Sequence, residues 1–294
     1  MPDESRLPSR PLLEALQTPG VLRDLLLEAA GEEQAAARRL LRKPAVRRIT
    51  RQLADDARRR VHRGADNSPL AVLRQCGAGC SACCWTPVID VTPLEAIVVA
   101  THLEKSFSPE QLTEIRARLS DNAQQRQAMT SQQQRGLRIR CALLDDEGMC
   151  GVYTARPLVC AGVFSLSREA CESASGTVGE SPDIPLDQPA KAWTMGVSGG
   201  LQRALVESGL DGNLYELSGA VLRVLETPAV ASRWLRGVDV FQGCLCTDPH
   251  SPPRAARRLR LDTPSSQPSG PHRASAVNSQ PLSKASKRRR RLGG

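Results

Sequence analysis

The stretch CGAGCSACCW, Cys76 to Trp85, places four cysteines within nine residues. No other feature limits what this chain can fold into so sharply. A disulfide framework, a metal site and a redox catalyst would each leave some of this pattern. Positions 76, 80, 83 and 84 would share one side of an α-helix. Gly77 and Gly79 lie between the first two, however, and glycine weakens a helix interior. A knuckle-like loop fits better, with glycine letting backbone N–H groups approach the sulfurs. The steps Cys-x3-Cys and Cys-x2-Cys let two sulfurs meet one metal. The vicinal pair Cys83–Cys84 is awkward for a single ion, because adjacent side chains tend to diverge. It points to two metals, to a polynuclear cluster, or to one ligand beside a supporting thiol.

Context weighs these readings. The N-terminus MPDESRLPSR is polar and no apolar signal core follows it. No run of about 18 apolar residues occurs, so no membrane span is expected. The expected compartment is the cytoplasm, where thiols stay reduced and clustered cysteines bind metal or do redox work. Six more cysteines follow: Cys141, Cys150 and Cys160 as a second group, Cys171 shortly after, and Cys244 and Cys246 apart from the rest. Zinc and iron–sulfur clusters both take four cysteine thiolates, so either is compatible with the set. Cys244 and Cys246 form a lone Cys-x-Cys near a domain edge and are read as ordinary thiols.

The ordered elements are Cys76-x3-Cys80-x2-Cys83-Cys84, then Arg140-Cys141 with Leu144, then Cys150-x2-Tyr153-x2-Arg156-Pro157-x2-Cys160, and Cys171 within REACES. In this order and spacing, residues 72 to 175 resemble the YkgJ-type cysteine-cluster family, a zinc- or iron-chelating domain with a CxxxCxxCC signature. The resemblance implies a metal site drawing on Cys76, Cys80, Cys83, Cys84, Cys141, Cys150, Cys160 and Cys171. Some members are labelled flagellin N-methylases, which brings in a lysine-methylating enzyme as an alternative. The chain departs from the family after Cys160, with Ala161 where an arginine is common and Phe164 as the first aromatic. No glycine-rich dinucleotide-type fingerprint is present. Arg156 is expected beside the centre, because four thiolates on one Zn2+ leave two negative charges to balance.

Other candidates have plainer explanations. Tyr153 suits a packing role, and Trp85 either shields the site or joins the core. Of His62, His102, His250 and His272, two lie in or near disordered or charged segments, and His102, in the capped helix, reads as a partly exposed helix residue rather than a ligand. There is no HExxH motif and no Ser-His-Asp order.

The flanking sequence predicts a mainly α protein with short β-strands: a cysteine-rich metal-binding domain flanked by helices, then a disordered basic C-terminal tail. Aromatic residues make up only 3% of the chain, which favours a Leu- and Ala-built helical core. Residues 11 to 64 carry apolar positions at three- and four-residue spacing. TPLE (92–95) and SPEQ (108–111) are helix starts with proline at the first position and a capping partner at the third. The second starts a polar helix expected to run towards Gln134. TPVIDV (86–91) and LRIRCALLD (137–145) read as strands, residues 176–190 as a surface loop, and residues 198–237 as two or three helices with TPAV (227–230) as a further start. The domain expectation is an N-terminal helical segment at 1–65, the metal domain at 66–175, a C-terminal helical segment at 176–246 and the tail at 247–294.

Charge separates tail from body. Residues 247–294 hold 11 Lys and Arg against 2 Asp, which accounts for the whole net charge of +9. The tail therefore suits weak, non-specific nucleic acid binding, but it has no aromatic residue on which a base could stack. The functional expectation is a cytosolic metal-binding protein with a cysteine-ligated iron–sulfur or zinc centre, structural or redox. Its partner would be a protein substrate or a redox protein. A methylase-like enzyme and a zinc module binding nucleic acid through the tail are the alternatives.

Overall fold

The computed structural model describes residues 14–16, 18–42, 46–77, 79–85, 88–128, 138–176 and 184–247. Helix α1 (Pro19–Leu41) starts with proline in its first turn and buries Ala29, Ala30, Glu33, Ala37 and Leu40 along one face. Helix α2 (Val46–Asp66) buries Leu53, Ala57 and Val61 completely. Arg60 of α2 reaches the buried Glu33 of α1 at 2.5 Å and ties the two helices together. Of the expected helical stretch 11–64, residues 11–13, 17 and 43–45 lie outside the described residues.

The face of α1 packs on α7 (Gln188–Glu207). Small residues make this possible. A Cβ placed on Gly196 would run into the Leu26 carbonyl, and one on Gly200 into the Ala30 carbonyl. The two backbones therefore touch, and glycine is the residue that permits it.

Helix α3 (Pro93–Ser106) is the central element. Leu94, Ala96, Val99, Ala100 and Leu103 are almost wholly buried, so it is apolar on nearly every side, as a core helix must be. Its capping box forms as the sequence predicts: Thr92 accepts from the Glu95 N–H, and the Glu95 carboxylate accepts from the Thr92 N–H. Helix α4 (Pro109–Gln127) starts with the same device from Ser108 and Gln111. It ends at Gln127, and residues 129–134 of the longer expected helix lie outside the described residues.

The strands are shorter than the sequence suggests. Asp90–Val91 (β1) pairs antiparallel with Tyr215–Glu216 (β2), with Val91 opposite Tyr215. The Leu217 N–H continues the pairing to the Ile89 carbonyl at 3.0 Å. The expected strand at 137–145 does not form over its described part. Its backbone groups go elsewhere: Arg140 O accepts from Asn122 Nδ2 at 2.8 Å, and the Cys141 N–H donates to Cys84 O at 2.7 Å. One isolated bridge, Leu144 to Cys150, is what remains of strand character there.

Short helices α5 (Leu158–Gly162) and α6 (Arg168–Gly176) follow. Helix α7 starts at Gln188, ten residues before the expected helical region, because Asp187 caps it by accepting from the Ala190 N–H and Pro189 follows in the first turn. Part of the expected 176–190 loop is therefore helix, and residues 177–183 lie outside the described residues. Helices α8 (Leu217–Glu226) and α9 (Val230–Leu235) are the last among the described residues. TPAV is not a capped start: Thr227 ends α8, and Ala229 enters α9 in a left-handed conformation, φ 53°. Residues 248–294 of the expected disordered tail lie outside the described residues. Thr247 itself is pinned, its N–H donating to Leu214 O at 3.0 Å. Among the described residues no helix is long and apolar enough to cross a membrane.

Candidate metal centre

Three short segments carry the cysteines to one place. The first, Cys76 to Trp85, is the irregular loop that its glycines require. Gly79 is left-handed at φ 82°, and Ala82–Trp85 closes into a 3-10 turn with the Cys84 N–H on Ser81 O at 2.8 Å. That turn swings Cys83 and Cys84 to the same side of the loop. The second segment is a tight turn from Cys141 to Cys150. Asp145 and Met149 pair through their backbones at 2.9 Å, and Gly148 takes φ 78° at the tip. The third runs from the 3-10 turn Tyr153–Ala155 through Pro157 into α5, which carries Cys160.

Glu95 fixes that third segment. Its Oε2 accepts from the Thr92 N–H and hydroxyl, and its Oε1 accepts from the Leu158 N–H at 2.9 Å. The carboxylate that caps the core helix therefore also anchors the start of α5.

Cys80, Cys83, Cys84, Cys141, Cys150 and Cys160 all line a cavity of about 300 Å3. The rest of its wall is mostly apolar, with Ile89, Leu143, Val152, Val159 and Leu217 among the lining residues. Arg156 and Tyr153 also line it, the guanidinium stacked 4.4 Å from the centre of the tyrosine ring. Cys76 and Cys171 do not reach this wall. The Cys76 sulfur instead accepts the Ser165 N–H at 3.1 Å, while Cys171 sits on α6, which packs on the 82–85 turn. Cys244 donates to Gly219 O at 3.6 Å and Cys246 bridges to Tyr215, so neither lines the cavity. None of the ten cysteines is in a disulfide. His102 and Trp85 also lie off the wall.

Residues 75–175 match the family model CxxCxxCC, described as a zinc- or iron-chelating domain. The match covers about a third of the chain, and this segment is similar to that family. No curated protein and no solved structure matches the chain.

The electrostatics of the matched segment are those of a site that suits a cation. Burial pushes the Cys150 thiol up, Cys141 up to about 11, and Cys160 well above the ordinary thiol range. Neighbouring thiols push Cys160 in the same direction. Cys83 goes the other way, down to about 6, because Cys84 donates a hydrogen bond to it and Arg156 faces it. Cys84 is correspondingly pushed up. Six sulfurs in an apolar wall cannot all ionise beside a single arginine. A thiophilic cation removes that conflict, since metal binding drives thiols to thiolates. The donor set is sulfur throughout, which fits zinc or an iron–sulfur cluster and does not fit magnesium or calcium. Among the described residues no group of three or more Cys, His, Asp or Glu side chains is placed, as it stands, to hold a metal ion. The thiols stand around the cavity.

Six of the eight cysteines expected at the site line this one cavity, and sequence reasoning misses what holds them there. The apolar wall comes from residues with no chemical signature, such as Val152 and Leu217. The Glu95–Leu158 bond spans 63 positions and leaves no local pattern. A further buried pair, Arg126 Nε to Glu216 Oε1 at 3.3 Å, joins α4 to β2 close to Cys141.

Proposed function

We propose that the chelating domain holds a cysteine-ligated polynuclear centre, iron–sulfur in preference to a single zinc, within the six-thiol cavity. The observation that carries this is the convergence of Cys80, Cys83, Cys84, Cys141, Cys150 and Cys160 from three separate segments on one apolar wall. A structural zinc ion takes four ligands, so six exceed what one ion uses. The 3-10 turn at 82–85 answers the difficulty posed by the vicinal pair, because it brings both Cys83 and Cys84 to the wall. Arg156 offsets part of the thiolate charge. Cys76 and Cys171 belong to the same metal-binding region at its edge. The domain boundaries 66–175, with helical segments 1–65 and 176–246 on either side, are part of this reading, as is a reducing compartment such as the cytoplasm.

The bound group would supply either electron transfer or structural cross-linking. The chain would supply thiolates, a charge partner, and an apolar wall that limits water access. The test is anaerobic purification followed by iron, zinc and acid-labile sulfide analysis, repeated on single Cys→Ser variants of the six. More than one metal per chain is expected, with loss of metal and a lower melting temperature in each variant. One zinc per chain with no sulfide would replace the cluster with a closed structural site. Full metal retention in all six variants would remove the site altogether.

A further inference from the structure

A second cavity, of about 740 Å3, opens between α2, α3, α8 and α9, and none of the cysteines lines it. Its volume falls within the range of small-molecule sites. Its wall divides by chemistry. Arg51 and Arg58 come from α2 and Lys105 from α3, with Asp55 and Glu104 as the opposing acids. Ile97, Val224, Val230 and Leu235 are among the apolar residues of the lining.

The cations here are under-compensated. Asp55 is shared between two guanidiniums, with Arg51 Nε at 3.7 Å and Arg58 Nη1 at 3.8 Å, both long for an ion pair. The Arg58 side chain is only 16% exposed, and its buried Nε has no hydrogen-bond partner. Burial penalises its charge further. A mostly buried guanidinium with an unpartnered Nε, a shared Asp55 carboxylate and otherwise only the Glu95 carboxylate, which is already committed to Thr92 and Leu158, is an incomplete arrangement, because buried polar groups are normally satisfied. Ala229 adds an independent sign. It lines the same cavity in the left-handed region at φ 53°, and strain of this kind in a non-glycine residue clusters at ligand sites.

We infer that this groove binds a small organic anion, its phosphate or carboxylate head held by Arg58 and Arg51 and its short apolar body laid on Ile97, Val224, Val230 and Leu235. The site does not depend on the metal reading. It does share a wall with the thiol cavity: Thr154 and Ala155 face the groove, Tyr153 and Arg156 face the thiols, and Arg58 Nη2 donates to Arg156 O at 3.3 Å.

The experiment is calorimetric titration of the purified full chain with hexyl phosphate, hexanoate and hexanol. Saturable one-to-one binding of at least one of the two anions is expected, with hexanol at least about tenfold weaker, since a charge-assisted contact is worth that much. Whichever anion binds more tightly identifies the head group. Arg58→Gln should weaken binding by a similar factor. Arg51→Gln tests the same point at a side chain that is 76% exposed, where folding is not at stake. Asp55→Asn removes the competing carboxylate and should tighten binding, a sign that general loss of structure cannot produce. Absence of saturable anion binding, or affinities indifferent to both Arg51→Gln and Asp55→Asn, would overturn the proposal.

Discussion

Glu95 shows how much one side chain can settle. In the sequence it reads as the third position of a capping box, and it is that. In the fold it also accepts from the Leu158 N–H, two residues before Cys160, so helix start and thiol segment hang on one carboxylate. Glu95→Gln keeps the size but puts an amide N–H against one of the donors. At least one buried N–H then loses its acceptor, a cost of about 1–3 kcal/mol. We expect a lower melting temperature and reduced metal content in the same variant, read by thermal melts and metal analysis. A melt unchanged from wild type would mean that Leu158 finds another acceptor. Cys83 and Cys84 make the complementary point. Adjacency alone sets two side chains apart, and only the observed 3-10 turn returns both to one wall.

Among the elements, the contact of α1 with α7 offers the sharpest contrast. Gly199 and Gly200 are neighbours in sequence, yet an added Cβ would meet nothing within 4 Å at Gly199 and would strike the Ala30 carbonyl at Gly200. Gly200→Ala must therefore push the helices apart, at about 1–3 kcal/mol. Gly199→Ala has room, and should be neutral or stabilise by about 0.5–1 kcal/mol through helix propensity. Urea denaturation midpoints of the two variants should move in opposite directions, or only Gly200→Ala should move. Equal losses would show that the close approach is not what the glycines provide. The capped starts of α3 and α4 were legible in the sequence because a capping box is a local contact over three residues. The start of α9 was misread because TPAV carries the letters of a cap, while the chain instead ends α8 at Thr227 and turns at Ala229.

For the whole molecule, charge and chelation occupy different stretches of chain. The excess of +9 lies in residues 247–294, and the six-thiol cavity is built from residues 79–217. Deleting residues 248–294 should leave metal content and melting temperature nearly unchanged while removing most salt-sensitive binding to nucleic acid, which depends on Lys and Arg neutralising phosphate. Binding assays at two salt concentrations beside a metal assay would check both halves. Undiminished nucleic acid binding by the truncated chain would place the contact on the neutral body. Helical character, the capped helix starts and a cysteine-rich segment similar to chelating domains were legible from the residues alone. Each of these rests on residue type and short spacing, which act locally. Only the tertiary structure decided that 137–145 is not a strand where described, since its backbone bonds go to Asn122 and Cys84 rather than to a neighbouring ladder. It also decided which six of the ten cysteines share a wall, and that Arg58 stands largely buried beside a shared Asp55 carboxylate at a second cavity. Those outcomes depend on contacts between residues tens of positions apart, and no spacing rule within the chain encodes them.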